Sequence, residues 1–284
     1  MNLTGFINWN ELRKAMISEG HRKMSKNPAE EWDKRAEEFN KSTKERSERT
    51  DRQVASLKLD SDCTVLDVGA GTGRLSVPIA KIAKQVTAVD QSRGMLSYLQ
   101  ENMAEEGLSN YKAIQKRWED VRLGVDLEPH DVVIASHSLG MFDLQEALEK
   151  MNAAAKQSVY IFTAAGKWFF DDFEEELWER IYDRPPRRGR GGGFRSDYML
   201  LYNILHDMGI YANVEIRDAE HVQRYGSLDE AVERWKVRRE IPEENEPLLR
   251  EYLAKNLESE NGDGLIFRRR TKSAMIWWPK SESS

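Results

Sequence analysis

The 284-residue chain is long enough for one large domain or one domain with elaborations, and at 39% hydrophobic and 32% charged residues it reads as a soluble globular protein with material for a real core. A net charge of −6 argues against a generally basic nucleic-acid binder, though not against local basic patches. The single cysteine, Cys63, excludes an internal disulfide framework, and with no signal-peptide pattern and no apolar run of membrane-spanning length the chain is expected to be cytoplasmic.

Residues 1–58 read as a helical cap. Asn8 with Glu11 three positions on forms a capping box leading into Trp9, Leu12, Met16 and Ile17. Asn27–Pro28 starts a second helix that carries Trp32, Ala36 and Phe39 on one face. From Thr64 strands and helices alternate: a strand at 64–68, a helix at about 73–84, a strand at 85–90 and a helix from Ser92 to about Glu106. Strands follow at 111–116, 131–136 and 158–162, with a helix at 144–155 before the last of them. Strands separated by helices of this length imply parallel pairing through right-handed crossovers. The expected fold is therefore α/β, a doubly wound, mostly parallel seven-stranded sheet over 59–284, with an insertion after strand five.

That insertion, 166–198, opens with an aromatic-rich helix on an acidic background, Trp168 and Phe169 to Ile181. A loop dense in Arg, Gly and Pro follows, from Arg184 to Arg195. A helix at 198–208 should end at Gly209, and a strand is expected at 212–216. A helical elaboration at 227–258 precedes a last strand at 265–278.

The chemistry centres on Asp67-Val-Gly69-Ala70-Gly71-Thr-Gly73-Arg74, directly after the first strand. Ligands of open α/β sheets bind at the carboxyl ends of the strands, and glycines there let the backbone take φ > 0 and approach a ligand. Two cofactor classes use such a turn. The dinucleotide fingerprint G-x-G-x-x-G would need glycine where Arg74 stands. Asp90, closing the second strand, is placed to accept both ribose hydroxyls of either cofactor.

The D-V-G-A-G-T-G turn, with Val89-Asp90-Gln91-Ser92-Arg93-Gly94-Met95-Leu96 after it, resembles the class I S-adenosylmethionine (SAM)-dependent methyltransferases, closest to their small-molecule-type members. Trp32-Asp33-Lys34-Arg35-Ala36-Glu37-Glu38-Phe39 is similar to the segment that covers the cofactor in many of them. The resemblance spans roughly Trp32 to Phe162. It implies SAM as methyl donor, with S-adenosylhomocysteine (SAH) as product. Asp67, Gly69, Ala70, Gly71, Gly73, Asp90, Gln91, Met95 and Ser136 would then line the cofactor. Arg117 stands where the family usually has an acid near the adenine, so Trp118 and Glu119 are the expected substitutes.

The loop after strand four, Ser136-His137-Ser138-Leu139-Gly140-Met141-Phe142-Asp143, matches the family's acceptor-side loop in position, but lacks both its histidine pair and N-P-P-Y/F. His137 is the candidate base, needed only if the nucleophile arrives protonated. Trp32, Phe39, Ser138, Trp168, Phe169, Arg195 and Tyr198 are candidate acceptor contacts. The five histidines show no ligand spacing, so no metal is expected. The acceptor is expected to be small or medium-sized. Two alternatives stay open: an RNA or protein methyltransferase using loop 184–195, with RNA disfavoured by the net charge, and a non-catalytic SAM- or dinucleotide-binding module.

Overall fold

The computed structural model describes residues 7–19, 27–44, 47–165, 177, 179–181, 198–239, 241–260 and 264–280. The chain divides into two compact units. The first holds Met1–Thr163, Tyr198–Glu215 and Met275–Ser284; the second holds Ala164–Asp197 and Ile216–Ala274.

Three helices precede the sheet: α1 (Trp9–Glu19), α2 (Pro28–Lys44) and α3 (Ser47–Ala55). The Asn8 side chain accepts from the Glu11 N–H at 3.0 Å, so the N-cap expected of α1 forms. Strands β1 (Thr64–Val68), β2 (Gln85–Asp90), β3 (Tyr111–Gln115), β4 (His130–Ser136) and β5 (Ala155–Ala165) then alternate with α4 (Ser76–Ala80), α5 (Arg93–Glu105) and α6 (Leu144–Ala154). After α7 (Tyr198–Asp207) come β6 (Asn213–Tyr225), α8 (Leu228–Arg239), α9 (Glu246–Asn256), β7 (Leu257–Glu260) and β8 (Gly264–Pro279). The order across the sheet is β3-β2-β1-β4-β5-β8-β6, seven strands on one path, with β7 antiparallel to β8 beside it. The pairs β1–β2, β1–β4, β2–β3 and β4–β5 are parallel.

In β1, Val65, Leu66 and Val68 are fully buried, because helices cover both faces of the sheet. Leu66, Val133 and Ile161 face the layer of α6 and α7; Val65, Ile134 and Tyr160 face that of α4 and α5. In the second unit, Trp235, Tyr252 and Phe267 form an aromatic core with Leu249 and Leu253, and the Trp235 indole N–H donates to the Tyr225 hydroxyl.

Several boundaries differ from expectation. Strand β5 spans 155–165 rather than 158–162, and β6 spans 213–225 rather than 212–216. The helix after the glycine turn is only 76–80; it does not begin at Gly73, which sits at φ +84° outside the right-handed helical region. Residues 257–260, expected within a helix and the loop after it, instead pair with 264–267 as β7. The aromatic stretch at 168–173 and loop 184–195 lie outside the described residues, as do Trp168, Phe169 and Arg195. Among the described residues no helix is long and apolar enough to cross a membrane.

Candidate active site

The glycine turn leaves the carboxyl end of β1 and is stitched onto the end of β2. The N–H groups of Gly69 and Ala70 both donate to the Val89 carbonyl, at 2.8 and 3.1 Å. The Gly71 N–H donates to Asp90 Oδ2 at 2.9 Å. Gly69, Gly71 and Gly73 all have positive φ, at 73°, 58° and 84°. At Gly73 a Cβ would stand 3.0 Å from Leu99 Cγ, so this glycine lets the turn pack on α5. At Gly71 an added Cβ would meet only the Phe39 ring, at 3.5 Å, leaving a cradle bounded by bare backbone and one aromatic edge.

Asp90 is held from both sides: Oδ1 accepts the Ser92 N–H at 2.8 Å while Oδ2 accepts that of Gly71. Burial raises its pKa and these amide bonds oppose the rise. A carboxylate accepts about four hydrogen bonds, so each oxygen keeps capacity for a further donor. A vicinal diol supplies two. Asp90 and the cradle at Gly71 thus fit a ribose beside a glycine turn.

Asp67, only 2% exposed, lies under the turn and accepts the Ser76 hydroxyl at 2.7 Å. Burial pushes its pKa to about 6, against the pull of the Ser76 bond and Arg74 and with the help of Asp90. Met95 is buried and its N–H bonds Ser92 Oγ; Gln91 is half-buried.

Trp118, expected to offer the adenine a ring face or a backbone N–H, has its ring buried in the sheet core with the indole N–H donating to the Ala147 carbonyl at 3.1 Å, which excludes the ring face and leaves the backbone N–H. Lys150 fixes this corner by donating to the carbonyls of Trp118 and Glu119. The Glu119 carboxylate is paired with Arg117 at 3.0 Å.

In the loop after β4, His137 is exposed, holds φ 54° and donates its N–H to the Phe162 carbonyl. Its Nε2 is hydrogen-bonded to Arg49. Arginine has only donors, so Nε2 must accept and the imidazole is neutral there. Ser138, expected as an acceptor contact, donates its hydroxyl to the Val68 carbonyl and wedges against Gly69. Trp32 and Phe39 pack edge-to-face on α2, ring centroids 5.9 Å apart. Tyr198 begins α7 and packs partly against the sheet core.

Three functions of this neighbourhood were not legible from motif matching. Arg74 donates to Gln53 Oε1 (2.7 Å) and Thr50 Oγ1 (3.1 Å) on α3, and to Ser136 Oγ (2.8 Å) at the end of β4. Asp33 on α2 reaches the start of α5. Helix α1 pins the far end of the loop 136–143: Arg13, buried, donates to the Phe142 carbonyl, and Lys14 pairs with Asp143 at 2.6 Å. Asn10 donates to Asp143 and accepts the Leu144 and Gln145 N–H groups. Asn10→Ala leaves those two N–H groups at the start of α6 without that acceptor, and is expected to lower stability by about 1–2 kcal/mol in urea unfolding.

A parallel sheet with a glycine turn and an acid on adjacent strand ends is an arrangement that can hold the ribose of a cofactor. Residues 59–188 match the family described as methyltransferase domain. An uncharacterized Haemophilus influenzae protein is 29% identical over 256 residues, covering 88% of this chain and 89% of the other. A Methanocaldococcus jannaschii protein, provisionally named a cobalt-precorrin-6B C(15)-methyltransferase, is 38% identical over 68 residues, 24% of this chain and 37% of its own. The fold is shared with the YcgJ protein of Bacillus subtilis, with a TM-score of 0.53 and 16% identity over 82% of this chain and 98% of that one. A provisionally named methyltransferase of Bacillus halodurans C-125 has a TM-score of 0.50 and 17% identity, over 81% of this chain and 96% of its own.

Proposed function

We propose that Asp90 and the turn from Gly69 to Gly73 hold SAM, and that a small or medium-sized acceptor meets it beside the loop 136–143. The observation that carries this reading is the Asp90 carboxylate, aimed by the Gly71 and Ser92 N–H groups and able to accept two more bonds. When bound, SAM supplies a methyl group on a sulfonium, already activated for displacement. What remains for the chain is alignment and exclusion of water. Trp32 and Phe39 on α2 provide an apolar cover, and Phe39 sits over the Gly71 cradle.

His137 takes a proton from the acceptor only after Arg49 releases Nε2, because the lone pair a base would use is the one Arg49 occupies. Where the acceptor already carries a free electron pair, His137 and Arg49 act as a fixed wall. The net charge of −6 favours a metabolite over a nucleic-acid backbone. The lone, buried Cys63 suits a reducing compartment, and the reading is of a cytoplasmic enzyme that needs no metal.

Asp90→Ala is expected to weaken SAH binding by about 2–4 kcal/mol, roughly thirty- to a thousandfold, as measured by titration calorimetry. Wild-type affinity in that variant sinks the assignment. Transfer of labelled methyl from SAM into extract fractions separated as metabolites, protein and RNA then tests the acceptor class. Label confined to RNA removes the small-acceptor reading.

A further inference from the structure

Helix α2 is laid directly across the first turn of α5, and one carboxylate joins them. Asp33 Oδ1 accepts the Ser92 hydroxyl at 2.5 Å and the Gly94 N–H at 2.8 Å. So close an approach needs glycine at 94: a Cβ there would stand 3.2 Å from Asp33 Cα and 3.3 Å from Ala36 Cβ. The two bonds hold the Asp33 carboxyl below its usual pKa, with Ser92 the largest cause.

Ser92 is therefore a junction. Its hydroxyl proton goes to Asp33, its hydroxyl oxygen accepts the Met95 N–H at 3.1 Å, and its own N–H is the donor that aims Asp90. The other end of α2 grips the first turn: Thr43 bonds the Thr72 hydroxyl, and Asn102 bridges Asn40 Oδ1 to the Thr72 carbonyl. One helix thus braces both backbone segments whose amides converge on Asp90.

We propose that Asp33 is a positioning residue for the methyl donor, fixing Ser92 so that its N–H holds the Asp90 carboxylate ready for the ribose. This rests on the reading that Asp90 binds the cofactor. Without the Asp33 acceptor the Ser92 hydroxyl is free to turn, α2 loses its anchor on α5, and the carboxylate loses a fixed donor. A role confined to capping α5 would lower the stability of the unliganded protein and leave cofactor affinity unchanged.

The test is calorimetric titration of SAH into the full-length wild type, Asp90→Ala, Asp33→Ala, Asp33→Glu, Ser92→Ala and the Asp33→Ala/Ser92→Ala double variant. The titrations are run well below each variant's melting temperature. Asp33→Ala is expected to weaken SAH by about ten- to a hundredfold, as loss of a charge-assisted bond would. Asp33→Glu, which keeps the carboxylate, should recover part of that. The double variant should lose much less than the sum of the single losses, since Asp33 acts on Asp90 through Ser92. If Asp33→Ala binds within about twofold of wild type while Asp90→Ala is weakened, the role of Asp33 falls and the site stands. Fully additive losses in the double variant overturn it equally. Should Asp90→Ala bind as wild type does, the underlying site assignment fails and this inference falls with it.

Discussion

Gly69→Ala is expected to lose SAH binding and about 3 kcal/mol or more of stability in urea unfolding. Two effects add. Position 69 holds φ +73°, which disfavours any residue with a Cβ, and that Cβ would lie 2.3 Å from Ser138 Cβ and 2.9 Å from its oxygen. Ser138 cannot retreat cheaply, because its hydroxyl is bonded to the Val68 carbonyl one residue before the turn. The loop 136–143 and the glycine turn are interlocked at this point. Adding Ser138→Gly removes the overlap but not the unfavourable φ, so the double variant should regain part of the stability. A Gly69→Ala protein within about 0.5 kcal/mol of wild type would falsify the interlock.

Asp67→Asn is the second large effect, and its sign depends on pH. The folded-state pKa of Asp67 is about 6, above its ordinary 3.8, with burial the main cause. Between those values the folded protein keeps a proton that the unfolded chain has released, so stability falls as pH rises through this window. The stabilisation is fully present below pH 3.8, is lost by about pH 6, and amounts to about 3 kcal/mol at 1.36 kcal/mol per unit. Asn still accepts the Ser76 hydroxyl but does not titrate. Urea unfolding of both proteins from pH 4.5 to 7.5 should give a difference curve favouring Asp67→Asn increasingly with pH and levelling above about pH 6.5. A flat difference curve would show that Asp67 titrates alike in both states. At neutral pH the carboxylate is largely ionised beneath the turn.

The glycine turn and Asp90 were legible because their requirement is local: positive φ at 69, 71 and 73, and an acid at a strand end. Parallel pairing was legible from strand–helix alternation. What escaped depended on distant partners. Arg74 reads in the sequence only as the residue that breaks a dinucleotide pattern; its hydrogen-bonding partners are 21 to 62 residues away. Ser138 looked like an acceptor contact until the fold brought Val68, 70 residues earlier, to its hydroxyl. Trp118 stands at the expected place in the chain, but the packing of α6 turns its ring into the core. Strand β7 has four residues and one large apolar side chain, too little pattern to separate it from the end of a helix.

The docking of the N-terminal helices joins distant parts of the chain. Asp33 lies 59 residues before Ser92, and Asn10 lies 133 residues before Asp143. During synthesis α1 and α2 emerge before the surfaces they seat on. Contacts of such separation wait on the closure of long loops, whereas β1, its turn and β2 are near neighbours in sequence, so the N-terminal helices are expected to dock after the first strands have paired.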